Sequence, residues 1–156
     1  MIGKKIVYEI YAAFAVGIMI SLLILSWIMW EKGNVVILVY VGYALYVPAF
    51  ALAVTSVAAL KRRGKLKSGW EHTTVLIEKE VFRVVRHPLY LGGALLSLAI
   101  LLITQSITSI ILGLISIFCF WMASKKEDEF NIEKFGSSYR EYMKKVPMWN
   151  VFKGLT

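Results

Sequence analysis

The sequence predicts an all-α integral membrane protein, a helical bundle of about four transmembrane helices with a cytosolic loop and C-terminal amphipathic helices. Three observations carry that expectation. Of the 156 residues, 58% are hydrophobic, against roughly 45–50% in soluble domains. The apolar residues gather into runs at 6–30, 35–60, 88–103 and 107–123, and about 20 such residues cross a hydrocarbon core of about 30 Å. The positive charges also sort by side. With the N-terminus inside, seventeen of the eighteen Lys and Arg residues, all but Lys32, fall on the cytoplasmic side, where short loops retain them. Both termini and the 61–87 loop are then expected in the cytoplasm.

The first run exceeds a signal-peptide apolar core and lacks a small-residue cleavage pattern, so it should remain as a helix. Glu9, between Tyr8 and Tyr11, reads as an interfacial belt residue. Glu31-Lys32-Gly33-Asn34 is short enough to make helices one and two antiparallel neighbours, and Pro48 is expected to kink the second. Residues 1–60 thus form an N-terminal helix pair, and 61–156 a loop, a helical hairpin and the C-terminal helices. Within the loop, a basic stretch runs from Lys61 to Lys67, and β-branched Thr73-Thr74-Val75 continues into Leu76-Ile77 as an extended segment. Pro88 suits the first turn of helix three, and Thr104-Gln105-Ser106 turns the chain into helix four. Beyond Lys125, Gly136 should end one helix, and Ser138 with Glu141 has capping-box spacing for the next. Phe135, Tyr139, Tyr142, Met143 and Val146 make an apolar stripe, which Pro147 stops. That stripe suits a membrane-surface anchor and a lid over a site equally.

Several functions are excluded. No G-x-G-x-x-G occurs, so a soluble dinucleotide-binding domain is ruled out. The lone Cys119 allows no intramolecular disulfide and no thiolate metal site, and no metal centre is expected. The formal charge of +8 suits topology and anionic headgroups, and nothing resembles a nucleic-acid-binding pattern. The candidate site comes from two distant pieces. Arg86-His87-Pro88-Leu89-Tyr90 opens helix three, and the hairpin returns Lys126-Glu127-Asp128-Glu129 to the same membrane face. Polar side chains at such a boundary are costly unless used.

At these residues the chain resembles the isoprenylcysteine carboxyl methyltransferase and phospholipid methyltransferase superfamily. The matching pattern is Thr74-Val75-Leu76-Ile77, Phe82-Arg83-x-x-Arg86-His87-Pro88-x-Tyr90-x-Gly92, Glu127-Asp128, Phe135-Gly136-x-x-Tyr139-x-x-Tyr142 and Val146-Pro147, over roughly residues 67–149. The resemblance implies an integral membrane methyltransferase dependent on S-adenosylmethionine (SAM), acting on a lipophilic or lipid-linked acceptor drawn from the membrane lipids. It implies that Thr74, Val75, Leu76, Ile77, Phe82, His87, Pro88, Leu89, Tyr90 and Glu127 bind the cofactor. The residue chemistry agrees: His87 and Arg86 supply donors or cations, Glu127 an acceptor, Phe82 and Tyr90 an aromatic wall.

The catalytic group stays open among Arg86, Tyr90 and Glu129. A phospholipid amine N-methyltransferase is the alternative to the isoprenylcysteine-like reading, and it needs a base because an ammonium must first lose a proton; Glu129, Asp128 or Tyr90 are candidates. A small non-enzymatic membrane protein is the remaining reading. Tyr142 reads as a belt residue. Where the isoprenylcysteine enzymes carry an arginine one turn before the matching glutamate, this chain has Ala123. Whether Lys125 or Lys126 substitutes stays open, lysine not reproducing bidentate carboxylate binding; without the arginine, prenylcysteine is expected to be a poor substrate.

Overall fold

A computed structural model describes residues 2–29, 34–64 and 74–155, without the side chains of Ile2, Ile28 and Met29. Lys32, Lys65, Lys67 and Trp70 lie outside the described residues. Four long helices form, α1 (Ile2–Met29), α2 (Val36–Arg63), α3 (Pro88–Thr104) and α4 (Ile107–Phe135), followed by the short α5 (Ser137–Lys145) and α6 (Val151–Leu155). Glu80–Arg83 makes one 3-10 turn. α1, α2 and α4 are long and apolar enough to cross a membrane, and α3 is a shorter apolar helix of 17 residues. The chain is an all-helical integral membrane protein.

Packing follows two seven-residue spacings of side chains. On α1, Tyr8, Ala15 and Leu22 are buried, and on α4, Ser109, Gly113, Ser116, Phe120 and Ala123 alternate at four and three residues. That is the seam of a left-handed helix pair. On α2, Gly42, Ala49 and Ser56 are buried, and they face Gly92 and Ala99 of α3. A Cβ on Gly42 would stand 2.8 Å from the Ala99 carbonyl oxygen, and one on Gly92 2.9 Å from that of Ala49. Lipid gives helices no hydrophobic drive to associate, so close backbone approach through small residues selects partners. Ser97 and Ser116 hydrogen-bond at 2.9 Å, and Ser116 donates to the Ala15 carbonyl at 3.1 Å, linking α3, α4 and α1.

The result corrects the expected adjacency of helices one and two: α1 lies along α4 and α2 along α3, with α3 against α4. A short connection permits neighbours, but the small-residue stripes pair them otherwise. Pro48 sits inside α2 without ending it, since neighbouring structure tolerates proline in a long membrane helix. α2 also takes in Lys61, Arg62 and Arg63, whose charge suits the negative end of the helix dipole.

Two further corrections concern local structure. No strand forms among the described residues: 74–79 has no regular hydrogen-bonded structure before the 3-10 turn, and Thr73 lies outside the described residues. The capping box does not form either. The residue at the N-cap of α5 is Gly136, with no side-chain cap, and Glu141 instead pairs with Lys144 at 2.6 Å.

Candidate functional site

Asp128 sits at the centre of the polar structure. α4 continues past its apolar run as one helix, which carries the 126–129 cluster on a rigid rod alongside the start of α3. The Arg86 guanidinium meets Asp128 with Nη2 to Oδ2 at 2.9 Å, and His87 Nε2 donates to Oδ1 at 2.7 Å. Tyr139 of α5 donates its hydroxyl to the same Oδ1 at 2.5 Å. On the other side of the imidazole, Nδ1 lies 3.5 Å from Glu127 Oε2. Burial disfavours charge on His87, but its hydrogen bonds to Asp128 and Glu127 outweigh that and hold its pKa up to about 9. His87 is therefore an imidazolium at neutral pH, donating from both nitrogens. Burial and the facing Asp128 carboxylate push the Tyr139 phenol upward, so it stays a donor.

The same residues fasten the C-terminal segment. Arg86 donates through Nη1 to the carbonyls of Met143 and Val146, and its amide to that of Pro147. Tyr142 donates to the Phe82 carbonyl at 2.5 Å, and Trp149 Nε1 to Ser124 Oγ at 3.0 Å. The apolar stripe of α5 thus faces inward: Tyr139, Tyr142 and Val146 are buried, with Leu76, Ile132, Phe135 and Met143 against them. Tyr142 is not a belt residue, and the stripe is not a membrane-surface anchor.

Beside this network lies a cavity of about 690 Å³, walled by α1, α2, the 75–77 segment, the start of α3 and the polar end of α4. Its polar end holds Glu127, Asn131 and Lys134, and its apolar floor Met19, Ala53, Leu96 and Phe120. It exists because α1 and α2 do not close on each other. Gly93 lets the Phe120 ring pack directly on α3, since a Cβ there would stand 2.5 Å from that ring.

The family profile described as phospholipid methyltransferase matches residues 37–138. The chain belongs to the phospholipid methyltransferase family. That family sits in the superfamily of isoprenylcysteine carboxyl methyltransferase-like membrane methyltransferases. Neither a curated protein nor a solved structure matches the chain. The span matched to the phospholipid methyltransferases contains α2, α3 and α4, whereas α1, which walls the cavity, lies outside it.

The residues expected from the sequence fall as follows. Val75, Leu76, Ile77, Phe82, His87, Pro88, Leu89, Tyr90 and Glu127 all line the cavity. Thr74 does not; its amide donates to the Gly64 carbonyl at 3.0 Å. Tyr90 lines it and stacks on His87, with centroids 5.8 Å apart. Arg86 touches it, but its nitrogens are engaged by Asp128 and the two carbonyls, so its geometry is that of a clamp. Glu129 lies outside the lining and pairs with Lys126 at 2.8 Å, because successive helical residues point about 100° apart. Ala123 is fully buried and off the cavity wall. Lys125 lies over the Trp121 ring, 3.9 Å from its centroid, so neither it nor Lys126 takes the place expected of the family arginine. Sequence reasoning missed the α1 wall, Asn131, Lys134 and the central position of Asp128. The seven-residue spacing of Tyr8, Ala15 and Leu22 was the available signal for α1.

Proposed function

We propose that this protein is a SAM-dependent methyltransferase that methylates the amine of a phospholipid-type acceptor at the cytosolic edge of the membrane. Membership of the phospholipid methyltransferase family, together with one cavity that joins a carboxylate-bearing polar end to an apolar floor, carries the reading. The residues fit SAM. Its ammonium and ribose need acceptors, its carboxylate a donor, and its adenine a flat apolar wall, and the lining offers Glu127 and Asn131, Lys134, and Phe82 with Tyr90. When bound, SAM supplies an electrophilic methyl group on its sulfonium.

The chain's own part is positioning. His87, gripped by Asp128, lies 3.5 Å from Glu127 Oε2 and so helps to position Glu127 on the cavity wall. Arg86 ties the end of α5 to the start of α3, so the Tyr139 and Tyr142 rings cover that edge and exclude water, which strengthens every charge interaction inside. Of the three candidate bases, Glu129 faces away and Asp128 is enclosed by its partners, which leaves Tyr90 on the wall. The prenylcysteine reading has less support, because the family arginine expected to grip its carboxylate is Ala123 here, buried away from the cavity.

The test is to incubate the purified full chain with isotopically methylated SAM and a lipid extract, followed by mass spectrometry. Label in aminophospholipids supports the proposal. Label only in prenylcysteine methyl ester, or in no lipid at all, overturns it.

A further inference from the structure

The cavity contains a second carboxylate that the cofactor reading does not use. Glu9 projects from the same face of α1 as Ala12, Ala13 and Val16, all of which line the cavity. Its depth follows from the α1–α4 register. Lys4 bonds Glu133, Tyr8 packs on Phe130 with centroids 5.5 Å apart, and Ala15 packs with Phe120. Glu9 therefore stands level with the α4 turn that carries Glu127, on the adjoining wall.

The other charged groups of the lining have neighbours or roles of their own. Arg86 and His87 are held as described, Glu127 faces His87, and the Lys134 ammonium lies over the Phe130 and Phe135 rings. The ion-pair partner of Glu9 is Lys5, 3.5 Å away, and both side chains are more than a third exposed. A solvated pair of this kind is weak and readily exchanged. Immediately below Glu9 the wall turns to alanine, which leaves room for a hydrocarbon chain, and Tyr8 and Phe130 line the same cavity. A cavity that offers a carboxylate together with aromatic rings suits an organic ammonium.

We propose that Glu9 recognises the ammonium of the methyl acceptor, and so sets its preference for amine-bearing lipids. Glu127 and Glu9 then divide the two cationic ligands between α4 and α1: the cofactor's positive end to the first, the acceptor's amine to the second. The proposal rests on the methyl-transfer reading above. It assigns selectivity to α1, the helix outside the span shared with the family.

The test uses the full chain in nanodiscs, with short-chain phosphatidylethanolamine and phosphatidylglycerol of the same acyl length as probes. Binding of each and of SAM is measured for the unmodified protein, Glu9→Gln, Glu9→Asp and Lys5→Gln. Glu9→Gln should lose about tenfold or more in phosphatidylethanolamine affinity, with phosphatidylglycerol and SAM binding unchanged and Glu9→Asp recovering part of the loss. Lys5→Gln, which removes the competing cation, should hold or raise phosphatidylethanolamine affinity. Equal losses for both lipids, no loss in Glu9→Gln, or a loss in Lys5→Gln as large as in Glu9→Gln would overturn the assignment. If the unmodified protein methylates no aminophospholipid, the methyl-transfer reading fails, while the difference between the two lipids still decides the role of Glu9 in binding.

Discussion

The two ends of the bundle solve one problem in opposite ways. At each, helix termini leave backbone groups without partners. At the α3–α4 turn the work is done by a neutral amide. Gln105, in the left-handed region at φ 52°, accepts from the Val35 amide and donates to the Val35 and Leu102 carbonyls, each at 3.0 Å, while Ser106 accepts from the Ser109 amide at 3.2 Å. At the other end the same kind of task falls to Arg86, Asp128, His87 and Tyr139, all charged or phenolic and nearly all buried. A buried ion pair is a poor way to gain stability compared with apolar packing, and the Gln105 end shows that an uncharged clasp suffices. The charges are concentrated beside the cavity, where Arg86, His87 and Tyr139 are among its lining residues.

This contrast can be broken most directly at Asp128. Asp128→Asn removes the counter-charge of two buried cations and should cost about 3–5 kcal/mol, read by thermal or denaturant unfolding in detergent. Gln105→Ala should cost only about 1–2 kcal/mol; losses of equal size would remove the distinction. Between them lies a pH effect. The folded pKa of His87, about 9, stands above its unfolded value of about 6.5. Its contribution to stability is therefore fully present below pH about 6.5 and declines as pH rises through about 9. Melting temperature should fall over that range in the native protein and much less so in His87→Gln, whereas Gln105→Ala should keep the native pH profile. Glu127→Gln sharpens the comparison differently. It should weaken SAM binding more than it lowers ligand-free thermal stability, because this carboxylate faces the cavity instead of the α5 clamp. Equal losses would make it structural. The smallest perturbation is positional: a cysteine at Asn34 should react with a membrane-impermeant reagent added from outside, and one at Ser137 should not. The reverse would put the charged end on the outer face.

The helices were legible because apolar runs and turn residues define them locally, and the hairpin logic that brings His87 beside Glu127 required only that α3 and α4 turn back at Thr104-Gln105-Ser106. Which helix lies beside which was less accessible. Connection length argued for α1 on α2, whereas Gly42, Ala49 and Ser56 meeting Gly92 and Ala99 decided otherwise. Within the acidic cluster, one residue of register separates Glu127 on the cavity wall, Asp128 in the enclosed network and Glu129 beside Lys126, and residue type alone does not distinguish three adjacent carboxylates. Tyr142 illustrates the same limit. An amphipathic stripe announces that it will be covered, and the covering surface was the protein itself.

The pairing of α1 with α4 has a consequence for how the chain is made. The Ser116–Ala15 hydrogen bond joins residues 101 positions apart, so α1 receives its main partner only when α4 is synthesised, while α2 and α3 meet as soon as both are made. Until then α1 has only its smaller contact with α3, and its Tyr8, Ala15 and Leu22 face tolerates the wait because lipid covers it as readily as protein does. A chain interrupted before α4 would therefore leave that face of α1 to lipid while the central helix pair is assembled.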